Sequence, residues 1–247
     1  MNSETKKVAI VTGGSQGIGL AIAEMFLAKY GFSVAICGRN GAVIQTAEKQ
    51  LQEILKDRPG PKIYCEVIDI GTSDNARRFI ERAAQALGGI DVLVNNAAHV
   101  VRKRFDLMTI DDLEATTGTN VLAPWVCSLT ALPYLLDSNI HTIINLSSEM
   151  DEWPLAEFAL YASSKGSITS FTKALAKDFP ANKLRVLGIR PRRVDTPLWH
   201  RVRANERAYF LPKDVANLVE YAVFTLPKEN PNVSGVMLNL KDYYGGV

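Results

Sequence analysis

Seven short β-rich runs punctuate the chain: "KVAIVTG", "SVAICG", "KIYCEVID", "IDVLVNN", "HTIINLSS", "LRVLGIR" and "GVMLNL". Longer stretches lie between them, and two of these, "AVIQTAEKQLQEILKD" and "DNARRFIERAAQALGG", repeat their apolar residues with the period of a helix. A third, opened by "TIDD" from Thr109 to Asp112, has the spacing of an N-terminal capping box. Few architectures accept this alternation. A strand followed by a helix must return to the same edge of the sheet before the next strand begins, so the strands run parallel and the helices cover both faces. The expected fold is α/β, a doubly wound parallel sheet of about seven strands. No repeat, low-complexity tract or linker breaks the pattern, so residues 1–247 are expected to form a single domain. With 47% hydrophobic residues in 247, the chain can bury one large core.

The junction after the first run narrows the function. "TGGSQGIG", Thr12 to Gly19, stands between that strand and the apolar helix "LAIAEMFLAKYG". Glycines at such a turn let the backbone approach a pyrophosphate, while the amides and positive dipole end of the next helix face the phosphates. A nucleotide is therefore expected on Gly13, Ser15, Gln16, Gly17, Ile18 and Gly19. Charge speaks against a polymeric one. The 28 Lys and Arg are scattered among 26 Asp and Glu for a net +2, so no basic stripe marks a nucleic-acid face and the expected partner is a small molecule. Only "MNSETKK" precedes the first strand, too short for a signal peptide, and no stretch reads as a bilayer span. A cytoplasmic protein with no membrane partner is expected. Cys37, Cys65 and Cys127 sit in apolar segments as buried hydrophobes, and neither they nor His99, His141 and His200 have metal-ligand spacing, so no metal is expected.

The T-G-x-x-x-G-x-G spacing departs from the more usual G-x-G-x-x-G, and here the chain resembles the short-chain dehydrogenase/reductase family over nearly its whole length. The likeness rests on Thr12, Gly13, Gly17 and Gly19, on Asp69 after the third strand, and on "NNAA" from Asn95 to Ala98. It continues through Asn120 in "TNVLAP", "INLSS" ending at Ser148, and "YASSK" from Tyr161 to Lys165, all in the family's order. A Tyr-x-x-x-Lys pair alone recurs by chance; the ordered set is specific. The resemblance implies that Lys165 binds the nicotinamide ribose and that Asn120 holds a water relaying protons through Lys165. It further implies that Asp69 and Ile70 lie beside the adenine, Asn95 and Ala97 near the adenosine ribose, and Tyr161, Pro191, Val194 and Thr196 along the cofactor. A homodimer or homotetramer is implied as well.

Several of these residues have a physical role of their own. Tyr161 and Lys165 stand four apart on an expected helix, so their side chains share a face. An ammonium beside a phenol favours the phenolate and should pull Tyr161 down from its ordinary value near 10, toward proton exchange near neutrality. Tyr161 is the expected acid/base. Ser148, at the end of the fifth strand, is expected at the carboxyl edge of the sheet, where its hydroxyl can bond a substrate oxygen. No His-Asp pair accompanies the serine, so hydride transfer between a nicotinamide and a carbonyl or alcohol is the expected reaction.

The cofactor follows from the second strand's turn, "SVAICGRN". Where relatives that prefer NAD carry an acid for the ribose hydroxyls, this chain has Gly38 followed by Arg39. An arginine pairs with a 2′-phosphate that a carboxylate would repel, so NADP(H) is expected ahead of NAD(H). Departures from the family pattern are Ala98 for a glycine, Arg192 and Arg193 after Pro191 where Pro-Gly is usual, and Asn239 and Lys241 near an expected acid. The segment between Thr196 and "LPKDVA" is short for a substrate cover. Residues flanking the catalytic positions, His99, Glu149, Met150, Trp153, Leu198 and Trp199, are candidates for substrate contact, and the acidic "SEMDEW" and basic "RPRR" either pair or read a charged substrate. A ketone or aldehyde reductase is the leading reading. A 3-oxoacyl thioester reductase and a polyol or steroid dehydrogenase are variants of it, and a non-catalytic NADP-binding regulator is the alternative of another class.

Overall fold

Each of the seven runs becomes a strand: β1 (Val8–Val11), β2 (Ser33–Gly38), β3 (Ile63–Val67), β4 (Val92–Asn95), β5 (Thr142–Leu146), β6 (Arg185–Arg190) and β7 (Met237–Asn239). The computed structural model describes residues 7–56, 60–203 and 206–245. The lead "MNSETK" and Asp57, the last residue of "AVIQTAEKQLQEILKD", lie outside that set. The strands form one parallel sheet in the order β3-β2-β1-β4-β5-β6-β7. Helices α1 (Gly17–Tyr30), α2 (Gly41–Leu55), α3 (Ser73–Leu87), α4 (Ile110–Thr117), α5 (Ala123–Leu136), α6 (Ala159–Asp178), α7 (Pro197–Arg203), α8 (Pro212–Glu220), α9 (Leu226–Glu229) and α10 (Leu240–Tyr243) connect and follow them.

Every residue of β1, β4, β5 and β6 is buried, which is why these strands read as continuous apolar runs rather than alternating ones. One face packs under α1 and α8, around Phe26, Phe32, Leu218 and Val219; the other packs under α3 and α5, around Phe79, Ile80, Cys127 and Leu135. Helix α3 shows how the pattern places a face. Ala76, Phe79, Ile80, Ala83, Ala84 and Leu87 fall on one stripe and all are buried, while Arg77, Arg78 and Glu81 face solvent. Each fully buried large side chain on that stripe contributes about 1.5–3 kcal/mol. The expected capping box is present: Thr109 Oγ1 accepts from the Asp112 amide at 3.2 Å, and Asp112 Oδ2 accepts from the Thr109 amide at 3.0 Å.

One expectation is corrected. Helices α4 and α5 are joined without a break through a π-helical segment, Gly118–Leu122, and the resulting helix, Ile110–Leu136, is long and apolar enough to cross a membrane by length and composition, with an 18-residue stretch of mean hydropathy 1.2. Its polar opening, "IDDLEATT", hid the length of the run. The inward side, through Thr116, Asn120, Ala123, Cys127, Ala131 and Leu135, is buried in the domain.

The strand order fixes where a ligand can sit. The chain leaves β1 toward β2 on one side and reaches β4 on the other, so the loops after β1 and β4 diverge and leave a crevice at the carboxyl edge of the sheet. The loops after β5 and β6 open at the same edge.

Candidate active site

A cleft of about 670 Å³ occupies that edge. Its floor is the glycine turn, built by a clip between two strands. Thr12 Oγ1 accepts the backbone amides of Asn96 and Ala97 at 3.0 and 3.1 Å, and Asn96 Nδ2 donates back to the carbonyls of Thr12 and Gly13 at 2.9 and 3.2 Å. This drives two loops together so closely that side chains are excluded: a Cβ on Gly13, whose φ is +65°, would lie 2.8 Å from Ala97 Cα, and one on Gly19 would lie 2.4 Å from Asn96 Nδ2. Helix α1 then starts with no acid in its first turn and no side-chain cap from Gln16. Its leading amides and positive dipole end are left to an anion.

Of the residues expected at a nucleotide, Gly13, Ser15, Gln16, Gly17, Ile18, Gly19, Arg39, Asp69, Ile70, Ala97, Tyr161, Lys165, Pro191, Val194 and Thr196 all line this cleft. Asn95 does not, and its assignment is corrected. As the last residue of β4 it points into the protein, where Nδ2 donates to Asn145 Oδ1 at 2.8 Å and Ser128 Oγ at 3.1 Å. Asn96, the second of the pair, faces the cleft instead. Asn40 and Val43 at the start of α2, and Ile68, line it too without having been singled out in the sequence. Arg39 stands at the rim, half exposed, 3.7 Å from Asp69 Oδ2.

The catalytic candidates converge from two elements. Ser148 ends the β5 turn, and its hydroxyl bonds the Tyr161 phenol and accepts from the Met150 amide at 3.2 Å. Tyr161 and Lys165 share one face of α6, with Lys165 Nζ 5.7 Å from the Tyr161 ring centroid. Their titration differs from the expectation. Burial pushes the Tyr161 phenol up to about 12, opposed by the Ser148 bond, and Lys165 is not among its causes. The ammonium is turned away: Nζ donates to the Leu146 carbonyl at 2.7 Å, and burial pulls its pKa down to about 8 against the attraction of Asp151. At neutral pH both groups carry their protons, so the resting site is a proton donor.

Asn120 is buried in the π-helical segment, and its side chain is fully engaged. Oδ1 accepts the His99 amide at 2.7 Å, and Nδ2 donates to the His99 carbonyl at 2.8 Å and to Ser164 Oγ at 2.9 Å. The carbonyl of Asn120 would pair with the amide of residue 124 in a regular helix. That residue is Pro124, which has no N–H, so the Asn120 carbonyl lacks its regular α-helical partner in this π-helical segment.

Behind Lys165 lies a charged cluster with no single motif to announce it. Asp151 Oδ2 accepts from Arg190 Nε at 2.9 Å, from Ser147 Oγ at 3.3 Å and from Thr169 Oγ1, and both partners of the ion pair are nearly sealed from solvent. Arg190 also reaches Glu152 at 2.7 Å, and Arg192 reaches Glu149 at 3.3 Å. The acidic and basic loops thus pair with each other. Of the substrate candidates, Glu149, Met150, Trp153, Leu198 and Trp199 line the cleft. His99 is not among the lining residues; its backbone is docked on Asn120, and its ring lies within reach of the charges of Arg39, Arg201 and Asp69, which do line the cleft. Trp153 is 74% exposed at the mouth. Trp199 is anchored: Nε1 donates to the Glu206 carbonyl at 3.0 Å. The cover is as short as the sequence implied, a seven-residue α7 whose flanks are tied where Asp195 N bonds the Phe210 carbonyl at 2.8 Å.

The comparisons with known proteins agree with this geometry. The short chain dehydrogenase family model matches residues 7–207. An uncharacterised oxidoreductase of Staphylococcus saprophyticus is 30% identical over 88% of this chain and 91% of its own. Among solved structures, a short chain dehydrogenase from Burkholderia cenocepacia in complex with NADP aligns with a TM-score of 0.82 at 30% identity, covering 94% of this chain and 95% of that one. A blue fluorescent protein from a metagenomic library, in complex with NADPH, aligns with a TM-score of 0.81 at 29% identity over the same shares.

Proposed function

The chain belongs to the short-chain dehydrogenase family, and from that premise we propose that this oxidoreductase uses NADP(H) to interconvert a carbonyl compound and its alcohol, with one domain holding cofactor and substrate. The observation that carries the reading is the meeting of Ser148, Tyr161 and Lys165 in the same cleft as the glycine turn. The residues present suit the cofactor. Side chains are excluded where Gly13 and Gly19 face the β4 loop, the first-turn amides of α1 are left to the pyrophosphate, and Arg39 stands at the rim for the 2′-phosphate. When bound, NADPH supplies the hydride.

The chain's own residues supply position and the proton. Ser148 donates to the substrate oxygen and orients it toward Tyr161, and the phenol, held protonated by burial, gives its proton to the oxygen as negative charge develops there. Lys165, still cationic at neutral pH, stabilises the phenolate left behind and passes a proton back from solvent along a water held at the Asn120 carbonyl. In the alcohol direction the same groups take the proton away. Assembly into two or four copies is supported by the outer side of Ile110–Leu136, where Ile110, Trp125 and Leu129 are 68%, 44% and 72% exposed; light scattering tests it. The activity is tested by following NADPH oxidation with a panel of ketones, aldehydes, 3-oxoacyl thioesters and steroids. Tight NADPH binding with no turnover of any of them, or of the matching alcohols with NADP⁺, would instead indicate a non-catalytic NADP-binding regulator.

A further inference from the structure

The substrate end of the cleft carries more positive charge than a neutral carbonyl compound needs. Arg192, Arg193, Arg201 and Arg203 line it, and among the described residues Glu149 is the one acid that lines it with them. Glu149 is held by Arg192. Two of the remaining three share a further carboxylate: Glu206 takes Arg203 Nη1 at 2.5 Å and stands 3.6 Å from Arg193 Nη1.

Arg203 is the most constrained of the set. Its side chain is 9% exposed, and its guanidinium lies against two aromatic rings, with Cζ 5.4 Å from the centroid of Phe158 and 5.5 Å from that of Trp199. Contacts of this kind hold the guanidinium in place and exclude water from it. Its Nε is sealed from solvent and has no hydrogen-bond partner among the described residues. A buried donor without an acceptor is a standing cost that an incoming oxygen can relieve. Phe158 also sets the distance to the chemistry, since its ring centroid is 6.5 Å from that of Tyr161. The guanidinium and the phenol therefore pack on the same aromatic ring.

On these observations, and resting on the carbonyl-reductase reading above, we propose that the substrate is an oxo-carboxylate. Its carbonyl meets Ser148 and Tyr161, an apolar spacer about as long as one aromatic ring lies along Phe158, and its carboxylate docks on Arg203. A planar carboxylate matches the side-on fork of an arginine, which uses Nε, and Glu206, bound at Nη1, leaves Nε open. Glu206 stays on Nη1 as a neighbouring negative charge that opposes the incoming carboxylate, and the substrate delivers an acceptor to Nε.

The test uses the full-length enzyme and two probes that differ only in charge, 4-formylbenzoate and its methyl ester. With NADPH, the acid should be reduced with a kcat/KM about tenfold or more above that of the ester, equivalent to ~1.4 kcal/mol. Arg203→Met should bring the ratio close to one, while Glu206→Gln, which removes the competing carboxylate, should raise it by about threefold or more. The two variants move the ratio in opposite directions, so failure of either to fold leaves the other to decide. Calorimetry of the acid and the ester, with and without NADP⁺, reads the site without turnover. Binding of the acid that is lost in Arg203→Met, with neither probe reduced, would keep the anion site and overturn the reductase reading. Equal reduction and equal binding of both probes would overturn the anion site and leave the reductase reading standing. Absence of both reduction and acid binding would overturn both.

Discussion

Replacing Asp151 by asparagine asks whether the ion pair behind Lys165 supports the catalytic group. The Asp151 side chain is 1% exposed and that of Arg190 is 7%, so the substitution leaves a buried guanidinium facing only Glu152, which is itself half exposed. Removing one partner of a buried pair costs about 3–5 kcal/mol. Because Glu152 survives, Asp151→Asn should lie at the lower end, a loss of about 3 kcal/mol. Adding Arg190→Met removes the stranded charge, and since apolar replacement of a whole buried pair is often neutral, the double variant should regain ~2 kcal/mol or more. Urea denaturation measures both, the midpoint moving at constant slope. The same substitution has a second reading in the pH profile. Asp151 holds the Lys165 pKa up against burial, near 8, so reduction should decline above about pH 8 in the native enzyme and at lower pH in Asp151→Asn. A stability loss below ~1 kcal/mol together with an unmoved alkaline limb would refute the coupling of this pair to Lys165.

Tyr161→Phe should lower kcat by about 100-fold or more while NADPH binding by fluorescence is retained, as expected of a group that acts only on the proton; normal turnover would remove the phenol from the chemistry. Arg39→Leu should narrow the preference for NADPH over NADH, read as the ratio of kcat/KM, and equal use of both by the native enzyme would defeat the assignment. Adding an acid at Gly38 would confound that test, because a Cβ there meets Ser15 Oγ at 2.7 Å. Lys165 titrates near 8 in the folded chain and near 10.5 when unfolded, so between those values the unfolded state holds the extra proton and Lys165 makes stability rise with pH. Lys165→Met should flatten that part of the curve in denaturation series, and an unchanged slope would count against the depressed pKa.

How much of this was legible in the sequence depended on whether one residue or several decide a feature. The strands of the sheet were legible because each is an apolar run long enough to be buried on both faces, and the glycine turn because its spacing serves one purpose. Tandem Asn95 and Asn96 were not separable, since only the end of β4 decides which side chain faces the cleft and which enters the network with Ser128 and Asn145. For Asn120 the resemblance implies a held water without saying which atom holds it; Pro124, four residues later in "TNVLAP", donates nothing and so removes the regular helical partner of the Asn120 carbonyl. The direction of the Tyr161 shift was missed because spacing on a helix gives proximity but not burial, and burial is the larger cause here. Asp151 with Arg190 is a tertiary meeting of two loops 39 residues apart, visible in the sequence only as opposite charges in "SEMDEW" and "RPRR".

Arg192 stands where the family pattern has glycine, and its contacts say what it does there. Nε lies 3.3 Å from Glu149 Oε2, next to Ser148, and Cζ lies 5.5 Å over the ring of Tyr209 on the segment returning from α7. One side chain thus ties the loop after β6 to the loop after β5 and to the cover, around a site whose cover is short. The ion pair is only partly buried, with side-chain exposures of 33% and 28%, so it contributes under ~1 kcal/mol and Arg192→Gly should fold and melt nearly as the native protein does. What the substitution releases is the orientation of Glu149 and the closure over the carbonyl. The expected result is a raised KM for the carbonyl substrate, with the dissociation constant of NADPH almost unmoved, because the contacts of Arg192 named above, Glu149 and Tyr209, belong to the substrate end of the cleft. Steady-state kinetics and calorimetry on the same preparation separate the two. A tenfold weaker NADPH constant, about 1.4 kcal/mol, at an unchanged substrate KM would show that Arg192 serves the cofactor and that the tie across the substrate site has no functional weight.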